Sequence, residues 1–149
     1  MNNFVNFLDN NLYKPYERVK NDKYIFLFEG DFSKIYTIET IIKAYSETFQ
    51  NNEKVLLILK NSNHFTNAYF KIVELINKLS KHLEIEIINN FMKEEDIANL
   101  YEKTDCFVYP CTEDESLLYP FKALLCNKII ITSDLGCEEL KNSILIKNT

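Results

Sequence analysis

The sequence predicts an α/β protein built on a doubly wound parallel sheet of about six strands with helices on both faces, a Rossmann-like arrangement. Three observations carry that reading. Short continuous apolar runs alternate with segments of helical period along most of the chain. The apolar runs lack the in-out alternation of a half-solvated strand, so they suit strands buried on both faces. The helical stretches between them are about ten residues or longer, which is what crossovers between parallel neighbours require. Right-handed crossovers then give the doubly wound form.

The elements follow in order. Residues 1–22 form a lead-in segment and 23–149 the domain proper. In the lead-in, Asn2, Asn3, the turn signal Asp9-Asn10-Asn11 and Pro15 interrupt any regular period. Phe4, Val5, Phe7, Leu8, Leu12, Tyr13 and Tyr16 make it too apolar for a free tail, so it is expected to pack on the domain or on a partner. Tyr24–Glu29 is the first strand, closed by Gly30. Ile38, Ile41, Ile42, Tyr45 and Phe49 recur at helical spacing and predict a helix over 37–50. Val55–Leu59 is the second strand, with Lys60–Asn63 as the loop after it. Phe70, Val73, Ile76, Asn77 and Leu79 mark a helix over 66–81, and Leu83–Ile88 the third strand. Glu94–Lys103 is a helix with Ile97, Leu100 and Tyr101 inward, and Cys106–Tyr109 the fourth strand. Leu117–Cys126 is a helix, Lys128–Thr132 the fifth strand, Cys137–Lys141 a short helix and Ser143–Ile146 a sixth strand.

Composition bounds the function. A chain of 149 residues is about one domain, large enough for a core without staples. The formal net charge of -5, with lysines interleaved among acids, leaves no basic stripe for a nucleic acid. No run reaches the length of a membrane span, and no basic-then-apolar leader opens the chain. The cysteines at 106, 111, 126 and 137 lack metal-site spacing, and three lie in or beside apolar runs, as buried thiols do. No metal is expected, and a reducing, cytoplasmic setting is.

The chemistry concentrates after the fourth strand. Thr104–Pro110 ends a short apolar run at a proline; the acidic run Glu113-Asp114-Glu115 follows, and a helix opens at Ser116. In open α/β sheets ligands bind beyond the carboxyl ends of the strands, where helix N-termini present unpaired N–H groups to anions. Each residue also has a plainer role. Gly30 permits close backbone approach to a ligand, or simply makes a strand-to-helix turn. The acids face a ligand, or favour the helix N-terminus as a solvated loop. Ser116 is a natural N-cap. Glu138 and Glu139 face a pocket, or form an acidic first helical turn. His64, after the second strand, is a candidate ligand contact, while His82 at a helix end needs only the helix dipole. No Cys–His nucleophile pattern is present.

The order of these segments resembles the C-terminal, nucleotide-sugar-binding domain of glycosyltransferases with GT-B architecture, in particular the glycogen-synthase-like and sucrose-synthase-like group 1 enzymes. Asp9–Pro15 resembles the linker entering that domain. Phe26–Gly30 with Ile38–Ala44 resembles its opening strand, glycine loop and helix. Phe91, Glu95-Asp96-Ile97, Leu100-Tyr101 and Asp105–Pro110 resemble the loop, helix and strand leading to the donor site. Lys128–Thr132 with Asp134–Glu139 resembles the segment after it.

The resemblance implies a retaining, metal-independent transferase lineage, with a nucleoside diphosphate sugar as donor substrate and no other cofactor. The family carries two carboxylates as Glu-x7-Glu, the first on the sugar and the second on the ribose. Counting forward from Pro110 assigns the first to Asp114 and the second to Lys122. Counting back from Pro120 assigns them to Glu115 and Ala123, so the ribose carboxylate is absent in either register. The backbone at Ser116 and Leu117 would hold the diphosphate, with Gly30 and Gly136 lining the approach. The base would stack at Asn89–Met92, which includes Asn90 and Phe91. The family's two cations after the glycine are Asp31 and Tyr36 here, with Lys34 as a nearby substitute. Lost cations oppose stabilisation of a leaving diphosphate.

The acceptor-binding domain of that family is not in this chain, so transfer would need a second domain or subunit, docking near residues 1–16. The alternative is a non-catalytic protein-interaction module that kept the fold and lost the donor site. A phosphorelay receiver would place acids after the first and third strands, which Gly30-Asp31 and Asn89-Asn90 fit poorly. Base, sugar, acceptor and oligomeric state are not legible at this level.

Overall fold

The computed structural model describes residues 8–17, 21–51, 53–80, 82–110, 117–133 and 144–146. Five strands of four to seven residues alternate with four helices, and a three-residue strand follows. The count is therefore five strands of ordinary length and one short segment rather than six full strands. The strand pairings within each half of the sheet are parallel. The class is α/β and Rossmann-like, as the pattern predicts. The short helix expected at 137–141 lies outside the described residues. Among the described residues no helix is long and apolar enough to cross a membrane.

The chain divides into two compact units. One spans residues 22–91 and contains β1 (Tyr24–Gly30), α1 (Ile35–Thr48), β2 (Val55–Asn61), α2 (Ala68–Leu79) and β3 (Ile85–Ile88). β2 lies between β1 and β3, in the registers Gly30↔Asn61 and Lys60↔Ile88. Two successive right-handed crossovers in the same direction bring both helices to one face, and α1 and α2 do touch. Leu57 and Leu59 are fully buried on the sheet face of Phe26, whose ring meets Tyr45 of α1, and Ile38, Ile42 and Ile72 of the helices are buried too; Leu27, one step along β1 from Phe26, is buried on the opposite face.

One expectation is corrected here. Lys60 and Asn61 belong to β2 and are buried, because the ladder with β1 continues to Gly30. The inward face of α2 is Ala68 and Ile72, whereas Phe70 is 76% exposed. A small residue and a slim β-branched one let the helix lie close to its neighbours, and the bulky ring one step round faces solvent.

The other unit comprises residues 1–21 and 92–149, with α3 (Glu94–Lys103), β4 (Cys106–Tyr109), α4 (Leu118–Leu125), β5 (Ile129–Ser133) and β6 (Ile144–Ile146). β5 pairs with β4 on one side and β6 on the other, and α4 packs against β4 and β5. Glu94, Glu95 and Asp96 fill the first turn of α3, where carboxylates meet the positive helix end. Ile97, Ala98 and Tyr101 are its buried face, with Leu100 only half-buried.

α4 ends in a Schellman motif. The Lys128 N–H donates to the Ala123 carbonyl at 2.9 Å and the Asn127 N–H to the Leu124 carbonyl at 2.9 Å. Asn127 takes the left-handed conformation this needs, at φ 55°, which asparagine tolerates better than most residues. Within the lead-in, Asp9 organises the expected turn: its Oδ1 accepts from the Asn11 N–H, and its carbonyl accepts from Leu12 and Tyr13.

Candidate functional site

At the carboxyl ends of β1, β2 and β3 the side chains are mostly amides, and they are tied to one another. Asn61, fully buried, accepts at Oδ1 from the Phe32 N–H at 3.1 Å and the Asn63 N–H at 3.0 Å. Its Nδ2 donates to the Asn63 carbonyl at 2.9 Å and to Asn89 Oδ1 at 2.7 Å. One side chain thus joins the loops after all three strands, which register brings side by side. Buried amides settle in this way because each unmet donor or acceptor costs about 1–3 kcal/mol. Asp31 accepts from the Ser33 N–H at 2.8 Å and from Asn63 Nδ2 at 3.3 Å. Burial alone would raise the Asp31 carboxyl, but hydrogen bonds from Ser33 and Asn63 and the charge of Lys34 hold it below its ordinary value. Lys34, exposed at the N-cap of α1, acts on Asp31 electrostatically.

Gly30 has a packing reason. A Cβ there would come within 2.5 Å of the Phe28 ring tip. Phe28 is only 2% exposed and cannot swing away. The missing side chain makes room for that ring.

Above the amide layer the rim is aromatic. His64 and Phe91 are exposed and pack edge to face with ring centroids 6.5 Å apart. His64 Nδ1 lies 3.1 Å from the Asn89 carbonyl, and Asn90 Nδ2 donates to the Phe91 carbonyl at 3.2 Å. Phe65, beside His64 in sequence, is 99% exposed. Exposed rings beside a floor of amides and the Asp31 carboxylate suit a flat heteroaromatic ligand better than a phosphate, since stacking needs no counter-charge.

In the unit of residues 1–21 and 92–149, Lys122 is the unusual residue. Its side chain is 4% exposed, and its Nζ lies 3.8 Å from Glu94 Oε2. Three phenol rings surround the ammonium: Tyr13 at 5.1 Å, Tyr119 at 5.6 Å and Tyr101 at 6.0 Å. Tyr13 donates its hydroxyl to Glu94 Oε2 at 2.5 Å and meets Tyr101 edge to face at 5.7 Å. A buried cation is tolerable here because ring faces and a carboxylate replace its hydration. At Lys122, one of the two candidate positions (with Ala123) for the family's ribose carboxylate, the side chain is turned into the protein.

The expected residues are therefore distributed unevenly. Asn90 and Phe91 join His64 on the rim. Lys34 acts on Asp31, and Leu117 is the N-cap of α4, with no side-chain cap. The helix starts at Leu118, one residue later than expected. Glu115, Asp114, Ser116 and Gly136, with Glu138 and Glu139, lie outside the described residues. Sequence reasoning missed the Asn61–Asn89 bridge, although asparagine directly after two apolar strands was a readable signal. It also missed the cage of Lys122, whose members come from distant segments. Among the described residues, no group of three or more His, Cys, Asp or Glu stands in metal-binding geometry. Cys106 and Cys126 are free and buried.

No protein-family model matches the sequence, and neither does any curated protein. Solved structures do match by shape. The C-terminal domain of a glycosyl transferase group 1 family protein (LpcC) from Francisella tularensis superposes with a TM-score of 0.71 at 15% identity, covering 95% of this chain and 80% of that one. Anabaena Alr3699/HepE, solved in complex with UDP and glucose, matches with a TM-score of 0.64 at 15% identity. That match covers 87% of this chain but only 37% of the HepE chain. The chain has the fold of the C-terminal domain of GT-B glycosyltransferases, which is the fold the sequence resemblance implied.

Proposed function

We propose that this chain is the donor-binding domain of a retaining glycosyltransferase lineage, one that takes a nucleoside diphosphate sugar and needs a second domain or subunit for transfer. The observation that carries the reading is the fold likeness to a group 1 C-terminal domain over 95% of the chain. The base stacks on His64 and Phe91, beside Asn90. Backbone amides at Ser116 and Leu117 hold the phosphates, with Gly30, Lys34 and Gly136 lining the approach, and Glu115 or Asp114 contacts the sugar. No metal takes part. Free buried thiols suit a reducing, cytoplasmic setting.

Binding in this reading is weak. The buried Lys122 offers the ribose no carboxylate, and Asp31 adds negative charge where a diphosphate would want cations. These two features favour the second reading, an interaction module that has lost its donor site.

Titration with UDP, GDP and ADP, followed by calorimetry or amide NMR shifts, separates the two. The donor reading expects saturable binding of one nucleotide with a Kd of about 1 mM or tighter. The corresponding nucleoside diphosphate sugar should bind at least as well, and Glu115→Ala or Asp114→Ala should weaken it about tenfold, or 1.4 kcal/mol. Failure of all three nucleotides to saturate would leave the interaction module.

A further inference from the structure

Tyr13 belongs to the lead-in, yet it is 2% exposed and completes a cluster otherwise built from two helices. Glu94 and Tyr101 come from α3, and Tyr119 and Lys122 from α4. Of the three rings around the Lys122 ammonium, that of Tyr13 is the nearest. The same phenol supplies Glu94 with a hydrogen bond and Tyr101 with an edge-to-face neighbour. The lead-in reaches the other end of α4 as well. The Cys126 thiol, at the C-cap, interacts with the backbone of Lys14. Tyr16 folds back on the strap by donating its hydroxyl to the Leu12 carbonyl at 3.1 Å, and Asn21 Nδ2 donates to the Lys103 carbonyl at the end of α3 at 3.0 Å.

Withdrawing this segment would uncover an ammonium and a phenol ring and deprive a carboxylate of its donor. Those costs fall on α3 and α4 rather than on the segment itself. α4 also runs for only eight residues. A helix that short depends on tertiary contacts.

We propose that residues 8–17 form a strap, latched by Tyr13 on Lys122, whose engagement sets the order of α4. The strap is thereby a control point. A partner that captures the lead-in would loosen α4, and a partner that presses it down would tighten the helix. Because α4 directly follows the acidic run Glu113–Glu115, the consequence for ligand binding rests on the donor reading above, but the latch itself does not.

Hydrogen exchange of the full chain without nucleotide tests the latch. Tyr13→Ala is expected to speed exchange of the α4 amides by about tenfold, the scale of one lost charge-assisted hydrogen bond with a cation–π contact. Amides of β1 and β2 should stay unchanged, showing that the variant is folded. Tyr13→Phe keeps the ring and should fall between. In a Lys122→Met background, Tyr13→Ala should cost α4 clearly less than in the native chain, because the shared contact is already gone. Unchanged α4 exchange in Tyr13→Ala, or strictly additive effects of the two substitutions, would overturn the latch. If Tyr13→Ala does not fold, Tyr13→Phe decides: faster α4 exchange supports the latch, and native exchange overturns it. A UDP titration of the same proteins is read separately. No binding by the native chain counts against the donor reading and leaves the exchange result to judge the strap.

Discussion

Gly30 and Lys122 show how one position can carry two different meanings in sequence and in space. In sequence Gly30 marks a turn where a ligand can approach, but in the fold its bare α-carbon leaves room for the Phe28 ring. Gly30→Ala should therefore lose about 1–3 kcal/mol, the usual cost of forcing volume into a packed core. Urea denaturation measures it, and a smaller Phe28→Leu side chain in the same protein should recover part of the loss. If Gly30→Ala leaves stability untouched while weakening nucleotide binding, the packing explanation fails and the ligand-approach role stands. Lys122 was visible as a charge reversal at a carboxylate position. What the sequence could not show is that the charge points inward, because its nearest ring comes from a residue that also bonds Glu94 across 81 positions.

Elements were legible where period and length agreed. α3 and β4 have the predicted bounds, Glu94–Lys103 and Cys106–Tyr109, because acids, apolar spacing and a flanking proline all mark the same limits. β2 ran two residues further than its apolar run, since backbone pairing with β1 continues regardless of side-chain polarity. The buried residues of α2, Ala68 and Ile72, are not among those whose spacing marks the helix, because a small side chain weighs little in a hydrophobic count. α4 offers an element-scale test through pH. Burial pushes the Cys126 thiol up to about 11 from 9.0, with the Glu102 charge adding to it and Lys128 and the Lys14 backbone opposing. The unfolded chain therefore releases this proton first as pH rises. Between about pH 9 and 11 the native state binds more protons than the unfolded state, so stability falls with pH across that window and is unaffected below it. Chemical denaturation at stepped pH should show the decline, and Cys126→Ala should make it shallower. An identical slope in the variant would remove the thiol from the explanation.

At the scale of the whole molecule, the fold was the most legible feature and the chemistry the least. Alternating buried strands and crossover helices are a property of the entire chain, so errors of one or two residues at element ends do not disturb the class. A binding site depends instead on a handful of side chains in loops, and here the acids of 113–115 fall outside the described residues. The molecule covers 37% of the HepE chain it superposes on. Transfer between two substrates draws much of its rate from holding both at reacting distance, an effective molarity of about 10⁵ M or more. In the donor-domain reading proposed above, a domain that holds only the donor forgoes that gain, and water becomes the sole acceptor. Incubated with a radiolabelled nucleoside diphosphate sugar, the isolated chain should release free sugar no faster than buffer does, even at concentrations where the nucleotide binds. Adding a protein that supplies the acceptor-binding half should then produce transfer that Glu115→Ala or Asp114→Ala diminishes. Multiple turnover by the chain alone, at its monomeric mass, would mean that a complete catalytic centre exists within these 149 residues and that the dependence on a second domain is wrong.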